Sequence, residues 1–286
     1  MKPYLEILRP VEWTKNLLVA VPLLVAPPGT LPGAIPTIVL AVVCFCAVAS
    51  AVYIFNDFCD RSDDARHKRR RSRPLASGRL PVGRALTLAA VLAAAGLGGY
   101  LYLGVPAFGA VLAYCVLNVL YSMGLKGIAV LELFIVASGF PLRIIVGSLL
   151  VGSFASYWAL FCVAMGALFV VTAKRRTELV RHGSDSRPVL REYNADSLGI
   201  MLATALGAAL VFYSLFTLSD YAESRYGTWV PVTVLPVALA GFRYLALSLS
   251  DPEGRSPTVV LLRDPITLLC GLIVLATYGY LINAGG

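Results

Sequence analysis

Asn56, Asp60 and Asp64 stand four residues apart, where a long apolar segment ends and a run of cations begins. On a helix this spacing puts three oxygen-bearing side chains in one stripe. Hard oxygen donors suit Mg²⁺, which seldom receives a full protein cage and usually shares its shell with substrate phosphates. Asp57 and Asp63 are further acids beside the stripe, and Arg66, Lys68, Arg69, Arg70, Arg71 and Arg73 follow. Such cations could neutralise phosphate charge that the metal leaves uncompensated. The combination points to diphosphate chemistry at a membrane surface, with Mg²⁺ as cofactor and Asp60 and Asp64 as the catalytic carboxylates. The plainer reading is a capped helix end whose acids balance nearby arginines. Arg73, in Arg73-Pro74, is the phosphate-clamp candidate, whereas Arg69–Arg71 equally suit a lipid-facing patch.

Other candidates lie at segment ends. Trp13, Lys15 and Asn16 precede the first apolar stretch. Trp13 suits the aromatic belt, Lys15 either snorkels to headgroups or binds phosphate, and Asn16 is read as facing a cavity. Glu132 and Arg143 share one apolar segment and lie eleven residues apart, three helical turns, hence on nearly one face. Intramembrane charge is costly and faces a partner or a wet cavity. Arg143 is read as either half of an ion pair or a contact to an anionic lipid substrate. Tyr121 and Lys126 occupy the turn before that segment. Lys174, Arg175 and Glu178 end a later one, with Tyr193 and Asp196 closing the loop after it. Lys174 and Glu178 have the spacing of a helix-surface pair; a cation cluster there also suits a second phosphate group.

These residues must be held by a membrane scaffold. The 286-residue chain is 58% hydrophobic and only 14% charged, whereas soluble domains carry about 25% charge. Nine apolar stretches are long enough to span, or nearly so, at about 17–35, 36–57, 82–103, 105–123, 128–150, 156–173, 197–218, 228–249 and 265–284. Pro22, Pro27 and Pro28 interrupt the first. The expected fold is all-α, one transmembrane domain over 1–286, with nine helices bundled around a cytoplasm-facing cavity. Met1–Asn16 is polar and aromatic without a small-residue cleavage site, so no cleavable signal is expected.

In a nine-span topology all but two of the 24 lysines and arginines fall on one side; Arg225 lies on the other and Arg143 inside a span. The positive-inside rule then puts the N-terminus in the cytoplasm and the C-terminus outside. The net charge of +8 belongs to those cytoplasmic loops and to anionic lipid, not to nucleic acid, for which no module is present. The six cysteines lie in spans or on the cytoplasmic side, which disfavours disulfides. The two histidines, His67 and His182, lie in loops and offer no His-rich metal site. Long cytoplasmic loops at about 58–81 and 174–196 hold most of the charge, and long ordered loops are usually functional. Each follows a span with a polar end, a weak sign of a diverged internal repeat.

Arg9-Pro10 with Trp13, Lys15 and Asn16, the Asn56-x₃-Asp60-x₃-Asp64 motif and Arg73-Pro74 together resemble the UbiA-type intramembrane prenyltransferase superfamily. The usual pattern there has a second acidic motif, Asp-x₃-Asp; this chain has Lys174-x₃-Glu178. That departure resembles the decaprenyl-phosphate phosphoribosyltransferase branch. Tyr121 through Lys126, Glu132, Ser138 through Arg143, Ala173 through Leu179, Tyr193 and Leu262-Arg263-Asp264 agree with it over nearly the whole chain. The resemblance implies transfer of 5-phosphoribose from 5-phosphoribosyl 1-diphosphate to a polyprenyl phosphate in a bacterial inner membrane, in the service of cell-wall synthesis. It implies that Lys15, Asn16, Arg73, Tyr121, Lys126, Glu132, Arg143, Lys174, Arg175, Glu178 and Tyr193 bind substrate. Two other readings stay open: prenyl transfer to an aromatic or other acceptor, and polyprenyl-phosphate transport. Chain length and homo-oligomerisation are also left open.

Overall fold

The computed structural model describes residues 2–25, 31–66, 70–153, 156–184, 187–250 and 264–284. Pro27, Pro28, His67, Lys68, Arg69, Arg255, Leu262 and Arg263 lie outside them. The elements are helical, and no strand occurs among the described residues. The chain divides into two compact units, Met1–Ala155 and Ser156–Gly286.

The first unit holds α1 (Lys2–Leu8), a tightly wound segment Pro10–Val25, α2 (Leu31–Cys59), α3 (Arg61–Arg66), α4 (Val82–Leu103), α5 (Val105–Met123) and α6 (Leu131–Val151). Pro10–Val25 winds with three residues per turn over 16 residues. At roughly 2.0 Å rise per residue it reaches about 32 Å, enough for a hydrocarbon core of about 30 Å. The sequence places the first two spans at 17–35 and 36–57; the structure starts the tight segment at Pro10 and α2 at Leu31. Pro36 is the sixth residue of α2, just past the first turn, so it removes one backbone hydrogen bond, the one to the Pro32 carbonyl.

α2 is apolar on every face, as suits a membrane helix that packs on its neighbours with one side and exposes Val39, Leu40 and Val43 on another. Its Phe45 packs on Tyr100 of α4 (6.3 Å, edge-on) and Tyr114 of α5 (4.9 Å). The Tyr100 hydroxyl donates to the Ala41 carbonyl at 2.7 Å, which satisfies the polar tip of a fully buried ring. α4 and α5 are joined by Gly104 alone, at φ 146°, a conformation that strains side-chain-bearing residues. Trp13 turns inward: its Nε1 donates to Ser50 Oγ at 3.0 Å, and Ser50 donates to the Leu8 carbonyl at 3.0 Å.

Gly147 of α6 lies directly against the Pro10–Val25 backbone. A Cβ there would lie far inside van der Waals contact distance of the Val19 carbonyl oxygen. Small residues permit such approach in membrane proteins, where packing replaces the hydrophobic drive. Gly147→Ala should therefore destabilise the first unit by about 1–3 kcal/mol or more, read as a lower Tm in detergent. Gly109→Ala, with open space around its Cβ, should leave Tm unchanged.

The second unit holds α7 (Tyr157–His182), α8 (Ala195–Thr217), α9 (Asp220–Tyr226), α10 (Val234–Ser250) and α11 (Pro265–Ala284). α7 corrects the expected loop at 174–196: Lys174 through His182 remain helical. Lys, Arg, Glu and Leu are good helix formers, and Arg175 and Glu178 pair at i,i+3. α8 opens with a capping box in which the Asn194 side chain accepts from Ser197 N. Arg176 Nη1 donates to the Ser248 carbonyl at 2.8 Å and Nε to that of Ala195, tying the ends of α7, α8 and α10.

Seven helices among the described residues are long and apolar enough to cross a membrane. Pro10–Val25 and α11 are the further segments that the nine-span count requires; by length and composition only the seven qualify. The molecule is an all-α, multi-pass membrane protein.

Candidate functional site

α2 ends at Cys59 and α3 starts at Arg61, yet the stripe survives the break. Asp60 N donates to the Asn56 carbonyl at 2.9 Å and Asp64 N to the Asp60 carbonyl at 2.8 Å. The i,i+4 spacing read from sequence is thus kept through the turn. Asn56 Nδ2 donates to Asp60 Oδ2 at 3.3 Å, and Ser122 of α5 donates to Asn56 Oδ1 at 3.0 Å. Lys126 Nζ pairs with Asp60 Oδ1.

Arg73 returns across the other side. Its Nη1 donates to Asp57 Oδ1 at 3.0 Å and to Asp64 Oδ2 at 2.7 Å. Asp57 also receives Arg9 Nη2. Asp57 is 2% exposed and Asp64 1%, so these cations replace the water that burial takes from both carboxylates. Asp57, a spare acid in the sequence reading, is therefore the post that holds Arg9 and Arg73. Arg9 was legible only as part of its dipeptide; its positive φ of 51° turns the chain between α1 and Pro10.

Among the described residues no three His, Cys, Asp or Glu side chains converge as a metal cluster. The set that fits a hard cation is Asn56, Asp60 and Asp64. Asp64 Oδ1 is buried and among the described residues accepts no hydrogen bond; Arg70 Nη1 stands 3.8 Å away. An orphaned buried carboxylate oxygen is costly until a cation or donor meets it. Asn56 Oδ1 keeps one lone pair beyond the Ser122 bond.

The turn from Gly124 to Leu131 places Lys126 and Glu132. Leu131 N donates to the Ala129 carbonyl at 2.8 Å across Val130, whose φ is 66°. This is a γ-turn of the rare positive-φ kind, and a β-branched residue there is strained. Strain of this sort is tolerated where a site over-determines the backbone. Glu132, fully buried in the first turn of α6, lies at the positive end of that helix. Tyr121 is half-buried beside Ser122.

A model of the UbiA prenyltransferase family matches residues 17–263. The chain belongs to that family. Two curated relatives named decaprenyl-phosphate phosphoribosyltransferase align along it. The Corynebacterium glutamicum protein is 33% identical over 96% of this chain and 86% of its own length. The Mycobacterium tuberculosis protein is 32% identical over 97% of this chain and 93% of its own. In fold, the chain is similar to a UbiA homolog from Archaeoglobus fulgidus solved with GPP and Mg²⁺, with TM-score 0.74 and 18% identity over 98% of this chain and 99% of that one.

Several of the expected substrate contacts of this UbiA-family chain are committed to protein partners. Asn16 is buried, with Oδ1 accepting from Arg143 Nε at 2.9 Å and Nδ2 donating to Cys46 Sγ at 3.2 Å. Arg143 is 4% exposed. It donates to the Gly139 carbonyl and the Tyr114 hydroxyl, and its guanidinium lies over the rings of Phe45 (4.7 Å) and Tyr114 (5.0 Å). Cation–π contact and neutral oxygens solvate this buried charge in place of water. In place of the ion pair that sequence suggested, Arg143 meets the neutral Asn16 amide and aromatic faces, which ties Pro10–Val25 to α6. Lys15 Nζ pairs with Glu12.

In the second unit Glu178 receives Arg175 Nη1 and Arg187 Nε, each at 2.8 Å. Arg187 was not singled out from sequence, since nothing local marks a residue nine positions on as a partner. Arg175 and Tyr193 are buried, and Lys174 is exposed on α7.

Proposed function

We propose that this chain transfers 5-phosphoribose from 5-phosphoribosyl 1-diphosphate to a polyprenyl phosphate, releasing diphosphate, in a bacterial cell membrane. The observation that carries the reading is the near full-length match to relatives named for that reaction. The basic Lys174-x₃-Glu178 sequence supports it, because a phosphorylated sugar donor asks for a cation there. Homologous folds bound to Mg²⁺ support a divalent metal. Asn56, Asp60 and Asp64 would hold it, and a bound Mg²⁺ supplies positive charge to the diphosphate leaving group.

The chain's own groups do the rest. Arg73, fixed by Asp57, presents guanidinium charge beside Asp64, and Lys126 presents ammonium charge beside Asp60. Both stabilise charge that grows on the departing oxygen as the C1–O bond breaks. A lipid phosphate oxygen forms the new bond to C1. That nucleophile is already ionised, so no proton moves and no general base is needed. Lys174 and Arg175 bind either the ribose 5-phosphate or the lipid phosphate. Tyr121 and Glu132 in the first unit, and separately Tyr193 in the second, are further proposed substrate contacts, while Arg143 and Asn16 act through the framework they lock.

Lys174→Ala identifies the phosphate its ammonium holds. Losing a hydrogen bond to a charged group costs about 1.5–3 kcal/mol, a KM rise of roughly 10- to 100-fold for one substrate. Lys174→Asp should be worse, since it adds repulsion. If both KM values and kcat stay within twofold, Lys174 only sets topology. Prenyl transfer would instead show as consumption of a prenyl diphosphate, and transport as translocation without either product. Orientation is tested separately: a reporter after Gly286 should read extracytoplasmic and one near His182 cytoplasmic. Both on one side would overturn the nine-span topology.

A further inference from the structure

In the second unit an apolar groove of about 580 Å³ runs between α10 and α11. Pro236 and Ala240 line it from α10; Leu268, Gly271 and Leu275 line it from α11. These positions recur at three- and four-residue intervals, so each set is one stripe along its helix. Gly271 leaves the groove wide: nothing lies within 4 Å of where its Cβ would be.

The groove has a polar end. Thr267 belongs to its lining, and Thr267 N and Oγ1 donate to Asp264 Oδ2 at 2.9 and 2.8 Å. Arg243, one turn beyond Ala240 on the same stripe, donates from Nε and Nη2 to Asp264 Oδ1 at 3.2 and 3.1 Å. The Arg243 guanidinium, then the Thr267 N–H, hold the Asp264 carboxyl below the usual carboxylate range. Asp264 fixes the guanidinium plane without consuming it: a guanidinium carries five N–H donors, and the side chain is 41% exposed. Among the described residues that line the groove none is charged. An occupant apolar along most of its length and anionic at one end matches this groove and the guanidinium beyond it. Positive-inside topology puts the Arg243 end at the cytoplasmic surface and the apolar stretch in the bilayer, the depth order of a lipid with a charged head.

We propose that this groove is the docking site of the acceptor lipid: its isoprenoid tail lies between α10 and α11, and its phosphate meets Arg243. The proposal rests on the polyprenyl-phosphate reading of function. Arg243 and the Thr267-braced Asp264 then set where the nucleophilic phosphate waits, and Gly271 and Ala240 set the room for the tail.

The test uses the full-length protein purified in detergent and a polyprenyl phosphate carrying a diazirine in its tail. Adducts mapped by mass spectrometry should fall on α10 and α11. Unlabelled polyprenyl phosphate should remove them, and phosphatidylglycerol at the same concentration should not. Gly271→Trp fills open space, so Tm should hold while labelling falls at least tenfold. KM for a long-chain acceptor should rise at least tenfold and KM for 5-phosphoribosyl 1-diphosphate should stay put. Gly279→Trp, also with open space around its Cβ but outside the groove lining, should label as wild type. Equal competition by phosphatidylglycerol would make the groove an ordinary lipid contact and overturn the proposal. Undiminished labelling of Gly271→Trp would overturn it too. Specific labelling by a protein that transfers no phosphoribose would uphold the groove and reject the proposed reaction instead.

Discussion

Asp60→Ala and Asp64→Ala should each lower phosphoribosyl transfer on the order of 10³-fold or more, with the protein still folded in detergent. Charge stabilisation at a leaving group is worth several kcal/mol in the transition state, and each 1.36 kcal/mol is tenfold in rate. Folding survives because the scaffold does not hang on these two acids. With Asp64 removed, Arg73 keeps Asp57, and with Asp60 removed, Lys126 can turn to solvent. Initial rates over a Mg²⁺ series, with Tm recorded for each variant, measure both. Turnover within tenfold of wild type at saturating Mg²⁺ would reject Asp60 and Asp64 as the metal-holding pair.

Arg73→Ala should have the largest effect on stability of any single change at the site. It removes from Asp57 one of its two arginine partners among the described residues and from Asp64 the guanidinium that donates to its Oδ2, and both carboxylates are buried. Removing one partner of a buried ion pair costs about 3–5 kcal/mol; Arg73 is partly exposed, so the lower end is expected. Activity should fall as well, because the guanidinium is lost from the leaving group. Mg²⁺ should raise the Tm of Arg73→Ala more than that of wild type, since a cation on Asp64 replaces the missing charge. At 100 times its Kd, binding adds about 2.7 kcal/mol. An identical Mg²⁺ response in both proteins would mean that the metal does not bind next to Asp64.

Much of the scaffold was legible because it obeys local rules. Long apolar stretches bounded by charge can only be membrane helices, and Asn56, Asp60 and Asp64 keep the spacing that made them a stripe. The misreadings have particular causes. The interval 174–196 looked like a loop because it is charged, yet Lys, Arg and Glu favour helix and α7 carries them to His182. Arg143 was read as half of an ion pair or a contact to an anionic lipid because an intramembrane cation needs a partner; that Asn16 and two aromatic faces solvate it depends on a contact 127 residues away in sequence. Asp57 was read only as a further acid beside the stripe, because its pairing with Arg9 and Arg73 joins residues that local pattern does not bring together. Val130 could not be foreseen at all. Nothing in a valine announces positive φ.

The central claim is that C1 of the ribose moves to the lipid with its 5-phosphate attached. The most direct measurement uses donor labelled with ¹⁴C in the ribose and ³²P in the 5-phosphate, purified protein, Mg²⁺ and polyprenyl phosphate. The account predicts both labels in the organic phase at the donor's own ratio, with unlabelled diphosphate released in equal amount. Neither label in lipid, together with consumption of a prenyl diphosphate when one is supplied, would contradict it.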